Sequence, residues 1–341
     1  MEGQAARLRP GARLIAGFGP GPMPVALVIL LGSALGPYGL GLLSNGVLAS
    51  LDPALPVALA ALGVLVGTAV NFRSERDRRA LVATSLRAAV TMIVVAAGAA
   101  VVLPAWGETL EPGGWFNAAL LAFCAADDPL PVLLGGAALA LLRESSPAAA
   151  GMLLLQATGI TLVIATAGWL LLARTAPGTH KRIYVIAMLL LLGGASEYLS
   201  LSALMAGLVA GFFWEAVGGS TRTAIRQDVL YLQRPLVLLI LVVSGARMVL
   251  TPVVLAVGLS YLALRLVGTI VGSAAARRLV PSWTEPDGHT LLAQGVVGLA
   301  FALGAVRATA SDATTIISIV VIGVVGSQLL QPAARVAETV E

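Results

Sequence analysis

From about residue 23 to residue 331 the chain alternates apolar stretches with short polar clusters. The stretches run to roughly 20 residues, the length a helix needs to cross the hydrocarbon core of a bilayer. Their polar positions follow neither a period of two nor a single wet face, so they read as membrane helices rather than strands or surface helices. The pattern predicts spans over 23–44, 53–72, 80–104, 115–142, 148–173, 182–195, 198–217, 230–248, 251–275, 287–306 and 312–331, which is about 10–11 transmembrane segments.

Composition sharpens this to a class. Hydrophobic residues make up 58% of the chain and charged residues 11%, against about 25% charged in an ordinary soluble domain. The protein reads as an all-α polytopic membrane protein with no room for a sizeable soluble domain. Residues 1–22 carry Arg7, Arg9 and Arg13 without a short apolar core and cleavage site; they are expected to form a cytoplasmic tail. The transmembrane domain is expected over 23–331, with a short cytoplasmic tail at 332–341. The polar stretch Gly218 to Asp228 is the natural connector between two halves.

Charge then suggests a sidedness. The net charge is +4, spread over short basic clusters between spans. This is the positive-inside pattern and no signal for nucleic acid. The clusters at Arg73–Arg79, Arg143, His180-Lys181-Arg182, Arg222/Arg226, Arg277-Arg278 and Arg335 are all expected on the cytoplasmic side, with Asp52, Glu108 and Glu111 outside. One conflict follows. Arg143 and Lys181 share a side only if 148–173 is a re-entrant hairpin, broken near Thr158-Gly159; otherwise the Lys181 cluster lies outside against the rule.

The candidate chemistry sits in one place. Ala125-Ala126-Asp127-Asp128-Pro129 puts two carboxylates and a proline inside the apolar run from Trp115 to Leu142. A charge at the centre of a membrane helix costs roughly 2.5 kcal/mol or more, and Pro129 removes a helical hydrogen bond. Both are tolerated where a helix is broken beside a polar cavity. Asp127 and Asp128 are therefore candidate sites for a proton or a monovalent cation. The plainer alternative is that one Asp caps the half-helix starting at Pro129. No Walker loop, GxGxxG, HExxH or serine elbow is present, no Cys/His cluster has metal-ligand spacing, and Cys124 is the sole cysteine. No enzyme activity, cofactor or nucleotide is expected, so transport would run on a gradient.

Several segments, in order, resemble the monovalent cation:proton antiporter superfamily, which includes the sodium/proton exchangers. They are Leu35-Gly36-Pro37-Tyr38-Gly39-Leu40-Gly41-Leu42-Leu43, Ala61 to Leu65, Asp128-Pro129, Leu199 to Leu208, Pro235 to Gly245, and Gln294-Gly295-Val296-Val297-Gly298-Leu299-Ala300. The resemblance implies inverted repeats with two crossed discontinuous helices, here 115–142 and 287–306, broken at Pro129 and at Gly295 and Gly298. It implies Arg265 as the charge partner of the ion-binding carboxylates, and a homodimer. The chain departs from the pattern where the family carries an Asn-Asp or Asp-Asp pair: the matching segment, Leu155 to Thr161, has no carboxylate. Against the family's order, a helix is also missing after residue 173.

The remaining polar residues divide by their simplest explanation. Gln156, Thr158 and Thr161 are candidate cavity residues that could coordinate a cation or polar solute, with interhelical hydrogen bonding as the plainer alternative for all three, and Gln294, beside a break, is a further cavity candidate. Arg87, near the start of its span, is expected to snorkel. Glu215, after Phe212-Phe213-Trp214, is expected at an aromatic interface belt, and Glu197 in an outward loop. The function expected first is exchange of Na+ or K+ for protons by alternating access in a bacterial inner membrane. The alternatives are a same-fold transporter of an anion or neutral solute, and a non-transporting relative acting as sensor or partner subunit.

Overall fold

A computed structural model describes residues 25–70, 75–105, 114–126, 128–143, 146–174, 179–199, 202–217, 219–280, 295–306 and 313–338. Every regular element among them is helical. In order these are α1 (Val25–Leu35), α2 (Asn45–Leu51), α3 (Leu55–Ala69), α4 (Glu75–Ala105), α5 (Gly114–Cys124), α6 (Pro129–Arg143) and α7 (Pro147–Arg174). They continue with α8 (Thr179–Tyr198), α9 (Ala203–Val217), α10 (Gly219–Ala246), α11 (Pro252–Leu279), α12 (Val296–Val306) and α13 (Ala313–Glu338). Five segments are long and apolar enough to cross a bilayer, and further helices of 10–17 residues are apolar but shorter.

The first span is shorter than the apolar run suggested. Pro37 lacks an N–H and disfavours helical backbone before it, so α1 stops at Leu35. Residues 36–44 fold back instead, through Leu40 N–H to Ala34 C=O at 2.7 Å and Leu43 N–H to Leu35 C=O at 2.7 Å. Gly41 takes the left-handed conformation (φ 69°) that a side chain would strain. Ser44 then caps α2 by accepting from Val47 N–H.

Small residues set the helix pairing. A methyl on Gly207 would strike Ala60, and one on Gly211 would meet the Val64 carbonyl at 2.6 Å. Those contacts advance together, so α3 and α9 run parallel. Gly32 against Val242 and Gly36 against Ala246 make α1 and α10 parallel too. Since α9 and α10 are joined almost directly as a hairpin, the two pairs are inverted copies: α1 corresponds to α9, and α3 to α10. Close backbone approach is what binds helices in lipid, where apolar side chains have no solvent to escape.

The same contacts give every helix a direction. Take as the upper face the end holding Leu48, Leu55, Val243 and Ala246, which pack together. Helices α3 and α9 descend from it, and α10 returns to it. Helix α11 starts there and descends. Helix α4 is antiparallel to α11, because Gly272 meets Arg87 while Gly98 meets Leu264, so α4 ends at the upper face. Helix α8 ascends, since Gly193 near its end lies against Val57 at the start of α3, and α7 runs antiparallel to it as a hairpin, with Gly168 against Met188; lower down, Trp214 Nε1 of α9 donates to the Ala165 carbonyl at 2.9 Å. Helix α7 therefore starts at the upper face.

Residues 114–143 lie between α4, which ends above, and α7, which begins above. The broken segment α5–α6 thus enters and leaves by the same face. The re-entrant element is 114–143, and α7 is one continuous helix with no break at Thr158-Gly159. The charge conflict dissolves with it. Arg143 ends α6 at the upper face, while the helix ends carrying Arg78 and Arg79, Lys181 and Arg182, Arg222 and Arg226, and Arg277 and Arg278 all lie below.

Candidate functional site

The broken segment α5–α6 meets α12 in the core. Helix α5 stops at Cys124 and α6 starts at Pro129, a position where the missing N–H costs nothing. On the other side Gly295 leads into α12. A methyl on Gly298 would collide with the Cys124 carbonyl, so glycine there is what lets the two backbones cross. Phe123 and Phe301 seal the crossing edge-to-face at 6.0 Å, and Phe301 packs over Gly135. The part of 287–306 before Gly295 lies outside the described residues, as do Asp127 and Gln294.

Asp128 stands at the tip of the re-entrant hairpin, its side chain 15% exposed. Its Oδ2 lies 3.6 Å from Nη2 of Arg87, whose side chain is 6% exposed. Arg87 was expected to snorkel because the apolar run starts near residue 80. Helix α4 in fact begins at Glu75, which places Arg87 about 18 Å along it at 1.5 Å per residue. From there the guanidinium cannot reach the helix end. Its backbone is held as well: Thr91 Oγ1 donates to the Arg87 carbonyl at 2.9 Å. Gly272 lets α11 close over it, since a methyl there would sit 3.1 Å from Arg87 Cγ.

Arg265 lies on α11 in the same seam and is 5% exposed. It is seven residues from Gly272, or about 10 Å along the helix, so it stands above Arg87. The structure places Arg87 beside Asp128, an arginine that the resemblance did not single out. Ser273, next to Gly272, is 2% exposed, and its Oγ makes no hydrogen bond among the described residues.

The helix α7 candidates are not brought to this point. Gln156 is exposed, Thr158 is half-buried and Thr161 is buried, on a helix that packs against α6, α8 and α9. The inverted repeat is incomplete here. Helix α13 packs along α11, and its counterpart would pack along α4; α7 takes a different place and a different direction. Glu197 is exposed. Glu215 is not at an interface belt: it is 2% exposed beside the Trp214 that bonds Ala165. Its aromatic neighbours hid it, because they are what a belt and a buried seam have in common. Among the described residues no cluster of three or more His, Cys, Asp or Glu could hold a metal ion.

No protein-family model matches the chain, and no curated protein matches it. Among solved structures it is similar to the sodium proton antiporter MjNhaP1 from Methanocaldococcus jannaschii. The TM-score is 0.60 at 16% identity, covering 95% of this chain and 96% of that one. With its apolar helices, the chain is a multi-pass membrane protein that carries the fold of that sodium proton antiporter.

Proposed function

We propose that the protein is a secondary transporter exchanging a monovalent cation, Na+ or K+, for protons by alternating access. The observation that carries this is the partly buried Asp128 beside the buried Arg87, where the broken segment α5–α6 meets α12. Helix breaks free backbone carbonyls, and hard cations take oxygen ligands. Asp128, with Asp127 next to it, supplies the carboxylate that a cation and a proton can occupy in turn. The basic helix ends support a cytoplasmic lower face, which in the proposed bacterial host is the inner side of the cytoplasmic membrane. A homodimer is the proposed assembly.

Proteoliposomes test it. A pH gradient is imposed and sodium, potassium or lithium is added, for the unmodified protein, Asp128→Asn and Asp127→Asn/Asp128→Asn. Proton movement that depends on the cation and disappears in the variants is expected. Movement that survives in the double variant overturns the site. A second reading, transport of an anion, is favoured by the two buried arginines, Arg87 and Arg265. Gradient-driven anion uptake with no response to any cation would select it.

A further inference from the structure

We infer that the outward face of α7 is where two copies of the chain meet, with Gln156 hydrogen-bonded to the partner's Gln156. The inference rests on the homodimer proposed above and assigns the face that forms it.

Helix α7 packs on α6, α8 and α9 through a side that includes Ala157, Thr161, Ile164 and Ala165. Its opposite side is exposed. The exposed positions from 151 to 171 are glycine, alanine, methionine or aliphatic residues, with one exception, Gln156. The Gln156 amide makes no hydrogen bond among the described residues. The middle of the apolar span Pro147–Leu171 is Gly159, and Gln156 stands about 5 Å above it along the helix. The hydrocarbon extends about 15 Å to either side of the bilayer centre, farther than a glutamine side chain can reach. The amide therefore sits in hydrocarbon, where unpaired donors and acceptors are costly.

A second copy is the partner that meets this need by symmetry. Copies in one membrane share one orientation, so the two-fold axis relating them stands along the bilayer normal. Every residue then lies at the depth of its own twin, and the two α7 helices run parallel. A second copy thus brings an amide to the depth of Gln156, which a lipid tail cannot do. The pairing is self-complementary, because an amide carries both donors and an acceptor; each Gln156 gives one hydrogen bond and takes one. The surrounding positions suit such a pair. Met152, Gln156, Gly159, Val163, Thr166 and Leu170 are spaced four and three residues apart in turn, the seam of two helices crossing at a small angle. A methyl on Gly159 would meet nothing within 4 Å, which leaves room for the partner's backbone just below Gln156. Thr166 already donates its hydroxyl to the Leu162 carbonyl at 2.7 Å, so Gln156 is the group on this face that calls for a partner.

The test uses the full-length protein in membranes, with one cysteine added at a time and a mild oxidant. Met152→Cys and Val163→Cys should form disulfide-linked dimers. Ile93→Cys, on an exposed part of α4, should not, and the fully buried native Cys124 serves as the blank. Dimer strength is then read in liposomes by counting fluorescently labelled copies per particle as lipid is added. Gln156→Leu should weaken dimerisation about three- to thirtyfold, the range of polar contacts between helices in a bilayer. Gln156→Asn keeps the donors and the acceptor and should weaken it by less. Gly159→Leu should abolish the Val163→Cys cross-link. In a single copy Gln156 meets lipid, so Gln156→Leu should leave the unfolding temperature of detergent-separated monomers unchanged, which a contact within the fold would not.

Cross-links at Ile93→Cys with none on α7 overturn the inference and leave a homodimer built on another face. Cross-links from α7 to a different membrane protein, with none between copies, overturn it as well. So does Gln156→Leu protein that dimerises as tightly as the unmodified chain. Copies that stay single at every lipid dilution remove the homodimer and its face together. None of these readouts involves cation or proton movement, so exchange at Asp128 stands or falls on the flux assay alone.

Discussion

Asp128→Ala leaves Arg87 in the core without the carboxylate beside it. At 3.6 Å and an effective dielectric of about 20, the attraction between two unit charges is on the order of 4–5 kcal/mol. Breaking one partner of a buried pair costs about 3–5 kcal/mol for the same reason, since the surviving charge remains desolvated. Replacing both partners with apolar side chains removes that penalty. Asp128→Leu combined with Arg87→Met should therefore be close to the unmodified protein, while each single substitution is severely destabilised. The assay is reversible unfolding in mixed micelles, scored as a double-mutant cycle. A coupling energy near 3–5 kcal/mol is expected. A coupling below about 1 kcal/mol, the value of an exposed pair, would refute the claim that the pair is held in a water-poor core.

Four further outcomes follow from the packing. With single cysteines reacted with a membrane-impermeant reagent in right-side-out vesicles, Gly114→Cys and Arg143→Cys should label from the same side, and Arg277→Cys only when the vesicles are inverted; labelling of the first two from opposite sides would mean that 114–143 crosses the membrane. The native Cys124 is fully buried and should stay silent. Gly298→Ala should destabilise by roughly 1–3 kcal/mol, as overpacking does, because its methyl meets the Cys124 backbone. Gly46→Ala, with only Ser44 Oγ at 3.8 Å, is the control expected to unfold at the unmodified denaturant concentration. Trp214→Phe should cost about 1 kcal/mol for the lost bond to Ala165, and an unchanged unfolding midpoint would show that α7 is not tied to α9 there.

The class of the protein was legible in the one-dimensional pattern because burial in lipid is a property of whole segments. Some twenty apolar residues in lipid must satisfy their backbone hydrogen bonds by forming helix, whatever their neighbours do. The break at Pro129 was legible for a similar reason: a proline and two carboxylates violate local rules of membrane helices within five residues. The glycines at 295 and 298 could be picked out only as part of a motif. Their physical roles, Gly298 letting α12 pass against Cys124 and Gly295 leaving room for Val324 of α13, appear once the partner helices are in place.

Arg87 was misjudged because its position near the start of the apolar run does not reveal that Asp128, from a later segment, and α11 enclose it. Glu215 was misjudged because flanking aromatics are shared by interfaces and cores. The Arg143–Lys181 conflict contained the right information, that some segment near it fails to cross. Nothing in the residues says which one. A re-entrant hairpin and a spanning helix have the same local composition, and only contacts between distant helices distinguish them.

The linear order of residues thus decided that this is a helical membrane protein with a charged break in its first half, since hydrophobicity and proline act locally. Which arginine meets Asp128, which segment turns back, and where the inverted repeat is incomplete were decided by tertiary structure. Those properties depend on the close approach of glycine-bearing helices far apart in the chain, and close approach is a relation between surfaces that no single segment encodes.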